Sequence, residues 1–289
     1  MDLTKGNWPL TYKAILNHIY YKGKMVAKSK TAYGIYFEIN PDQVLILSEK
    51  NWKWAMVELF DRFNPNYKNP GYSHEYRPHW AAKLEKEGGQ FIYNYNDRIW
   101  PALDHVVSIL KKNKHERHAV LNIFDNSDID PALGISRIPC TLSLHFFVND
   151  NKVNLQVNMR TNDAVNLLIY DVFHHSMLQR YVASSLKLEL GLYRHFSSIM
   201  YYQKKREERG YINKLLERFN DTPYLIGPTP EFHILMRHSI NMVSAEDYES
   251  TQCSFFDDFI NINRSLIKDK LLRPCGLRFF RDVFKQGEI

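Results

Sequence analysis

The chain lacks the marks of several whole classes of protein. Its three cysteines, Cys140, Cys253 and Cys275, are odd in number and form no Cys-x-x-Cys pair. That pattern speaks against a disulfide framework and against a cysteine-built zinc site, so no metal is expected. No stretch approaches the ~18 consecutive apolar residues of a membrane span. The opening MDLTKGNWPLTYKAILNHIYYKGK has no apolar run followed by a small-residue cleavage site. A cytoplasmic protein with reduced thiols and no membrane partner is expected. Internal repeats and low-complexity linkers are also missing, which predicts a single domain over residues 1–289. A strong excess of one charge is absent too: 38 basic residues against 32 acidic leave a net charge of +6. That suits an anionic partner without separating a nucleotide from a nucleic acid.

What is present is a mixed pattern of strands and helices. The 18 tyrosines and 17 phenylalanines supply either a heavy core or stacking surfaces. YGIYFEI and QVLILS read as strands, and NWKWAMVELFDRF reads as a helix with apolar residues three to four apart. NPNYKNPG, residues 64–71, reads as a loop. WPALDHVVSILKKNK reads as an amphipathic helix and HAVLNIF as a strand. CTLSLHFFV, the turn Asn149-Asp150-Asn151 and KVNLQVNMR read as a hairpin. Thr161 or Asn162 is expected to cap a long helix running to about Leu190. SSIMYYQ reads as a strand, KKREERG as a solvated helix face, and the remainder from about residue 205 as helical. The fold class is α/β (α+β): a mixed sheet packed with helices.

Residues 137–183 carry the chemistry. Cys140 opens one strand of the hairpin and Arg160 closes the other, so a tight hairpin sets a guanidinium beside a thiol. A neighbouring arginine raises the thiolate fraction. Arg160 also precedes the expected helix, where backbone N–H groups favour an anion such as phosphate. The following run, AVNLLIYDVF, is apolar on nearly every side and encloses Asp171. A carboxylate there needs partners. Two readings stay open, pairing with His174 or His175 one turn on, or contact with a ligand.

Taken in order, these residues resemble the thymidylate synthase family. The likeness rests on Pro139-Cys140 at a strand start, a hairpin, Arg160-Thr161-Asn162-Asp163, and a buried helix bearing Asp171 at the base-recognition position. Upstream, KNWKWAMVELFDRF resembles the family's early helix and places Glu58 at its glutamate. YNYNDR resembles Tyr-Gly-x-Gln-Trp-Arg through Tyr93 and Arg98. KHERHAVLNIF resembles the Ser-Arg-Arg strand, with Arg117 matching and His118 replacing the second arginine. Lys24 falls near an N-terminal phosphate-binding arginine. The likeness covers roughly residues 12 to 205, and the part beyond is divergent.

The resemblance implies the family fold, a homodimer joined sheet to sheet, and 5,10-methylenetetrahydrofolate as cofactor. It implies a pyrimidine nucleoside monophosphate as substrate, rather than a nucleic acid. Cys140 is the implied nucleophile on pyrimidine C6 and Glu58 the proton carrier. Arg160, Arg117, His118 and Lys24 are implied at the phosphate, the Arg117–His118 pair acting across the dimer. Tyr201 is implied at the sugar, with Ile199 where the family has histidine. Asp163 and Trp80 are implied at the folate. The family's synthases carry asparagine where this chain has Asp171. An amide matches the O4 and N3–H of uracil, whereas a carboxylate accepts from the N4 amino group and protonated N3 of a cytosine adduct. Asp171 therefore points to the deoxycytidylate or cytidylate 5-hydroxymethylase branch. The alternatives are methylation or hydroxymethylation of a uridine nucleotide, or a non-catalytic nucleotide-binding member of the family.

Overall fold

The computed structural model describes residues 1–44, 52–66, 71–73, 95–129, 138–217, 224–225, 230–245, 250–251 and 253–267. The chain divides into two compact units. The first comprises Met1–Ile46, Val106–Asn122 and Cys140–Pro228; the second comprises Leu47–His105, Ile123–Pro139 and Thr229–Ile289.

The first unit is built on a six-stranded sheet. In chain order its strands are β1 (Lys24–Val26), β2 (Ser29–Ile39), β4 (Val120–Asn122), β5 (Thr141–Asn149), β6 (Lys152–Asp163) and β7 (Glu189–Gln203), and in space they run β1-β2-β7-β6-β5-β4. Neighbours are antiparallel except β6 and β7, which are parallel and joined through helix α4 (Leu168–Leu186). A small pair, β3 (Gln43–Val44) and β8 (Tyr224–Leu225), stands apart. Strand alternation supplies the core. Ile35, Phe37, Leu144, Phe146, Leu155, Val157 and Tyr193 are all buried at alternate positions. Helix α1 (Trp8–Lys22), N-capped by Asn7 accepting from the Leu10 N–H, buries Trp8, Tyr12, Ile15, Leu16 and Ile19. Trp8 stacks on Phe37 at 5.4 Å, and Phe37 stacks on His195 at 4.8 Å.

The hairpin β5–β6 forms as its sequence predicts. Its loop is Asp150-Asn151, both at positive φ (49° and 56°), the two-residue turn whose twist matches the flanking strands. Two boundaries differ from expectation. Thr161 and Asn162 do not cap a helix. They continue β6, where Thr161 pairs with Ile199 and Asp163 with Tyr201, so sheet pairing overrides a local capping signal. The helix starts later, at Leu168, and ends at Leu186 because Lys187 turns left-handed (φ 57°). Residues assigned to the helix's end and beyond belong to β7, which starts eight residues before the predicted SSIMYYQ. Where β7 gains one residue against β6, Gly191 is required: a Cβ would stand 2.7 Å from the Asn154 side chain. KKREERG forms the short helix α5 (Lys204–Glu208), and it is tied down as well as solvated. Glu207 accepts from the Tyr202 hydroxyl at 2.8 Å, and Arg206 donates to Asn166 Oδ1 at 3.0 Å. Helix α6 (Tyr211–Glu217) follows.

The second unit is helical in its described part. Helix α2 (Trp52–Phe63) packs with α7 (Phe232–Ser244) and α8 (Ser254–Ile267). The first turns of α3 (Tyr95–Lys112) also belong to it, up to His105. Phe232, Phe255, Phe256 and Phe259 are buried there. Arg98 grips both oxygens of the buried Asp128 at 2.7 Å each and also donates to the Ile123 carbonyl. Burial pushes the Asp128 carboxyl up, but the bonds from Arg98 and the Asp125 N–H outweigh it and hold it below the ordinary carboxylate range. Among the described residues, no helix is long and apolar enough to cross a membrane.

Candidate active site

Cys140 and Arg160 meet across the hairpin, and a bulge decides that they do. Asn149 pairs with Lys152 and Ser143 with Asn158, a register that, carried on, would set Cys140 against Thr161. Leu142 is an extra residue on β5, so Thr141 pairs with Met159 instead. Arg160 then falls opposite Cys140: its backbone N–H donates to the Cys140 carbonyl at 2.9 Å. Its guanidinium Nη2 lies 3.9 Å from the Cys140 Sγ. The thiol is half-buried. A cation at this distance favours the thiolate, the form that attacks an electrophilic carbon.

Asp171 lies in the first turn of α4, among residues that are nearly all buried. Its Oδ2 accepts from the Asn162 side-chain amide at 2.8 Å. Asn162 stands on β6, nine residues earlier, so this partner was invisible to helical spacing. Tyr193 and His195 project from β7 into the same core. The Tyr193 hydroxyl and His195 Nδ1 are 3.0 Å apart. Burial, followed by the charge of Asp171, holds the Tyr193 phenol well above its ordinary value. Burial pushes the His195 imidazole down to about 3, so it is neutral.

Asp163 is 6% exposed and organises the turn into α4. Its Oδ1 accepts from the backbone N–H groups of Val165 (3.1 Å) and Asn166 (2.9 Å), and its Oδ2 from the Asn166 side chain (2.8 Å). These three bonds leave about one of the roughly four lone-pair positions of a carboxylate. Tyr201 lies on β7 opposite Asp163 and Thr31. Ile199 is 39% exposed. Lys24 is an exposed residue of the edge strand β1. Arg117 and His118 precede the opposite edge strand, β4, and both are exposed. Glu116 Oε1 accepts from the Arg117 N–H and lies 2.6 Å from His118 Nδ1.

In the second unit, Glu58 is the one half-buried carboxylate on an otherwise buried face of α2. Arg62, itself buried and lying over the Tyr95 ring, donates to its Oε1 at 2.9 Å. It is thus no part of a solvated face. Asp61 on the same helix accepts from the N–H groups of Tyr72 and Ser73, yet burial pushes it up to about 6. Arg98 is engaged by Asp128 as described. Trp80 and Tyr93 lie outside the described residues.

The thiol–guanidinium pair at a strand start, the acidic turn and the buried helix with its carboxylate are the features on which the family likeness rests, and comparison with known proteins agrees. A family model described as thymidylate synthase matches residues 12–254. The chain belongs to the thymidylate synthase family. It is 28% identical over 134 residues to thymidylate synthase of Bacillus licheniformis, covering 41% of this chain and 47% of that protein. It is 30% identical over 164 residues to thymidylate synthase of Bacillus subtilis subsp. natto, covering 52% and 58%. It is 32% identical over 98 residues to deoxyuridylate hydroxymethyltransferase of Pseudomonas phage M6, covering 33% and 28%. The chain spans about half the length of the curated synthases it matches.

Proposed function

We propose that this protein is a folate-dependent one-carbon transferase acting on C5 of a pyrimidine nucleotide. We further propose that the substrate is a cytidine nucleotide and that the product carries a 5-hydroxymethyl group. The observation that carries the enzymatic reading is the Cys140 thiol held 3.9 Å from the Arg160 guanidinium. A binding module has no use for a nucleophile activated in this way.

The residues fit the cofactor in a limited way: Asp163 retains about one acceptor position for a pterin N–H. When bound, 5,10-methylenetetrahydrofolate supplies a one-carbon unit at the oxidation level of formaldehyde. Cys140 adds to C6 of the pyrimidine, and the displaced electron pair makes C5 nucleophilic. Arg160 stabilises the thiolate before addition and, with Lys24 and with Arg117 and His118 reaching across the dimer, balances the charge of the nucleotide phosphate. Asp171 accepts from the N4 amino group and the protonated N3 of the cytosine adduct. Facing uracil, the same carboxylate would oppose the O4 lone pairs. Glu58 carries protons to and from the base, and Tyr201 contacts the sugar. After transfer, tetrahydrofolate and the C5 proton having left, water adds at the exocyclic carbon and Cys140 departs from C6.

A homodimer is part of the same reading. It is supported by the half-exposed sheet face bearing Tyr36, Glu38, Phe147, Arg194 and Phe196, where Arg194 lies over the Phe147 ring. Sedimentation equilibrium of the full chain tests it.

A second reading is favoured by the phage relative, whose name specifies deoxyuridylate: transfer to a uridine nucleotide. One assay separates the two. Tritium release is followed from C5-labelled dCMP, CMP, dUMP and UMP with methylenetetrahydrofolate, and product mass is recorded. The proposal expects release from a cytidine nucleotide with a gain of one CH₂O unit. Release from dUMP or UMP alone transfers the assignment to the second reading, and a gain of CH₂ reassigns the last step to reduction. No release from any of the four removes the enzymatic reading. Cys140→Ala is expected to release no tritium while keeping the near-UV circular dichroism of the parent.

A further inference from the structure

Asn162 is 2% exposed, and its amide nitrogen has two acceptors. One is Asp171 Oδ2 at 2.8 Å; the other is the Met159 thioether sulfur at 2.9 Å. Both neighbours accept, so the nitrogen and not the oxygen must face them. Turning the amide over would set its carbonyl against a carboxylate. In this orientation Asn162 Oδ1 is buried and finds no donor among the described residues. An unsatisfied buried acceptor is costly, and such a group in a folded protein calls for a reason. The reason on hand is the donor it delivers to Asp171.

We infer that Asn162 is a specificity-positioning residue, which holds the Asp171 carboxylate ionised and thereby sets the choice of base. The inference rests on the reading that Asp171 contacts the base. Ionised, Asp171 only accepts, and it suits the N4–H and N3–H donors of a cytosine adduct. Protonated, it offers one donor and one acceptor, the same pair an amide offers, and that suits the O4 and N3–H of uracil. The identity of the base is therefore linked to whether a proton sits on Asp171. A donor held 2.8 Å from Oδ2 by a strand end favours the charged form, because a proton on that oxygen would meet the amide hydrogen. Asn162 reaches the base only through Asp171, across the step from β6 to α4.

The experiment compares kcat/KM for dCMP and for dUMP, with methylenetetrahydrofolate, in the full chain and four variants. Asn162→Ala removes the donor and is expected to lower the dCMP-to-dUMP ratio tenfold or more, chiefly by loss on dCMP. Asn162→Asp places a second carboxylate against Asp171, and the pair must share a proton. It is expected to move the ratio further toward dUMP. Asn162→Ser keeps a hydroxyl donor in a smaller volume and is expected to retain most of the preference, also serving should the alanine variant fail to fold. A purely structural role would lower both substrates by the same factor. Equal losses in Asn162→Ala and Asn162→Asp, while Asp171→Asn still turns the preference toward dUMP, overturn this inference alone. Unchanged preference in Asp171→Asn, or a parent enzyme that favours dUMP, overturns the reading of Asp171 itself.

Discussion

Acidification should destabilise this protein through His195, and the size of the effect follows from the imidazole's surroundings. His195 is fully buried, stacked against Phe37, with Nδ1 beside the Tyr193 hydroxyl. Its Nε2 meets no partner among the described residues. Burial holds it at about 3 in the folded chain against an ordinary 6.5. A group depressed on folding contributes stability that is present above the unfolded value and lost as pH falls toward the folded one. Between pH 7 and pH 5 the unfolded chain takes up a proton that the folded chain refuses. At ~1.4 kcal/mol per unit below the unfolded pKa, the loss is about 2 kcal/mol. Urea unfolding at pH 7, 6 and 5 measures it, against a double variant His195→Phe/Tyr193→Phe. That variant removes both hydrogen-bonding partners together, so neither is stranded. The difference between the two proteins isolates the histidine from the carboxylates that titrate in both. A double variant with the parent's slope refutes the argument, as does a His195 proton resonance that titrates near pH 6.5.

Other consequences are smaller in scope. Replacing Arg160 by Met in a Cys253→Ser/Cys275→Ser background should slow iodoacetamide alkylation of Cys140 several-fold at pH 7, since thiolate is the reactive form. An unchanged rate removes Arg160 from thiol activation. Arg98→Met strands Asp128 in the second unit and should cost about 3 kcal/mol by urea unfolding. A cost near zero would mean that the carboxylate finds water or another donor.

Sequence patterns reveal those parts of the molecule whose causes are local. Asp150-Asn151 between alternating apolar runs predicts the hairpin, because few residues accept positive φ at both loop positions. The three-to-four spacing of NWKWAMVELFDRF predicts α2. Non-local pairing hides the rest. Thr161 and Asn162 resemble caps, and only the register of β6 on β7 makes them strand. Asn162, which donates to Asp171, stands on another element, so helical spacing does not reveal it. The extra residue at Leu142 leaves no compositional trace, although it sets Arg160 rather than Thr161 against Cys140.

That bulge and turn have a kinetic side. Cys140 and Arg160 are twenty residues apart and joined by one hairpin, a structure that closes in about 1–10 μs. The parallel pairing of β6 with β7 must instead wait for α4 to cross between them, a slower and less local event. Bringing Cys140 and the Arg160 guanidinium together thus needs only the chain's short-range closure and not the pairing of β6 with β7. The converse is a fragility: a one-residue slip of β6 against β5 would turn every β6 side chain to the other face of the sheet.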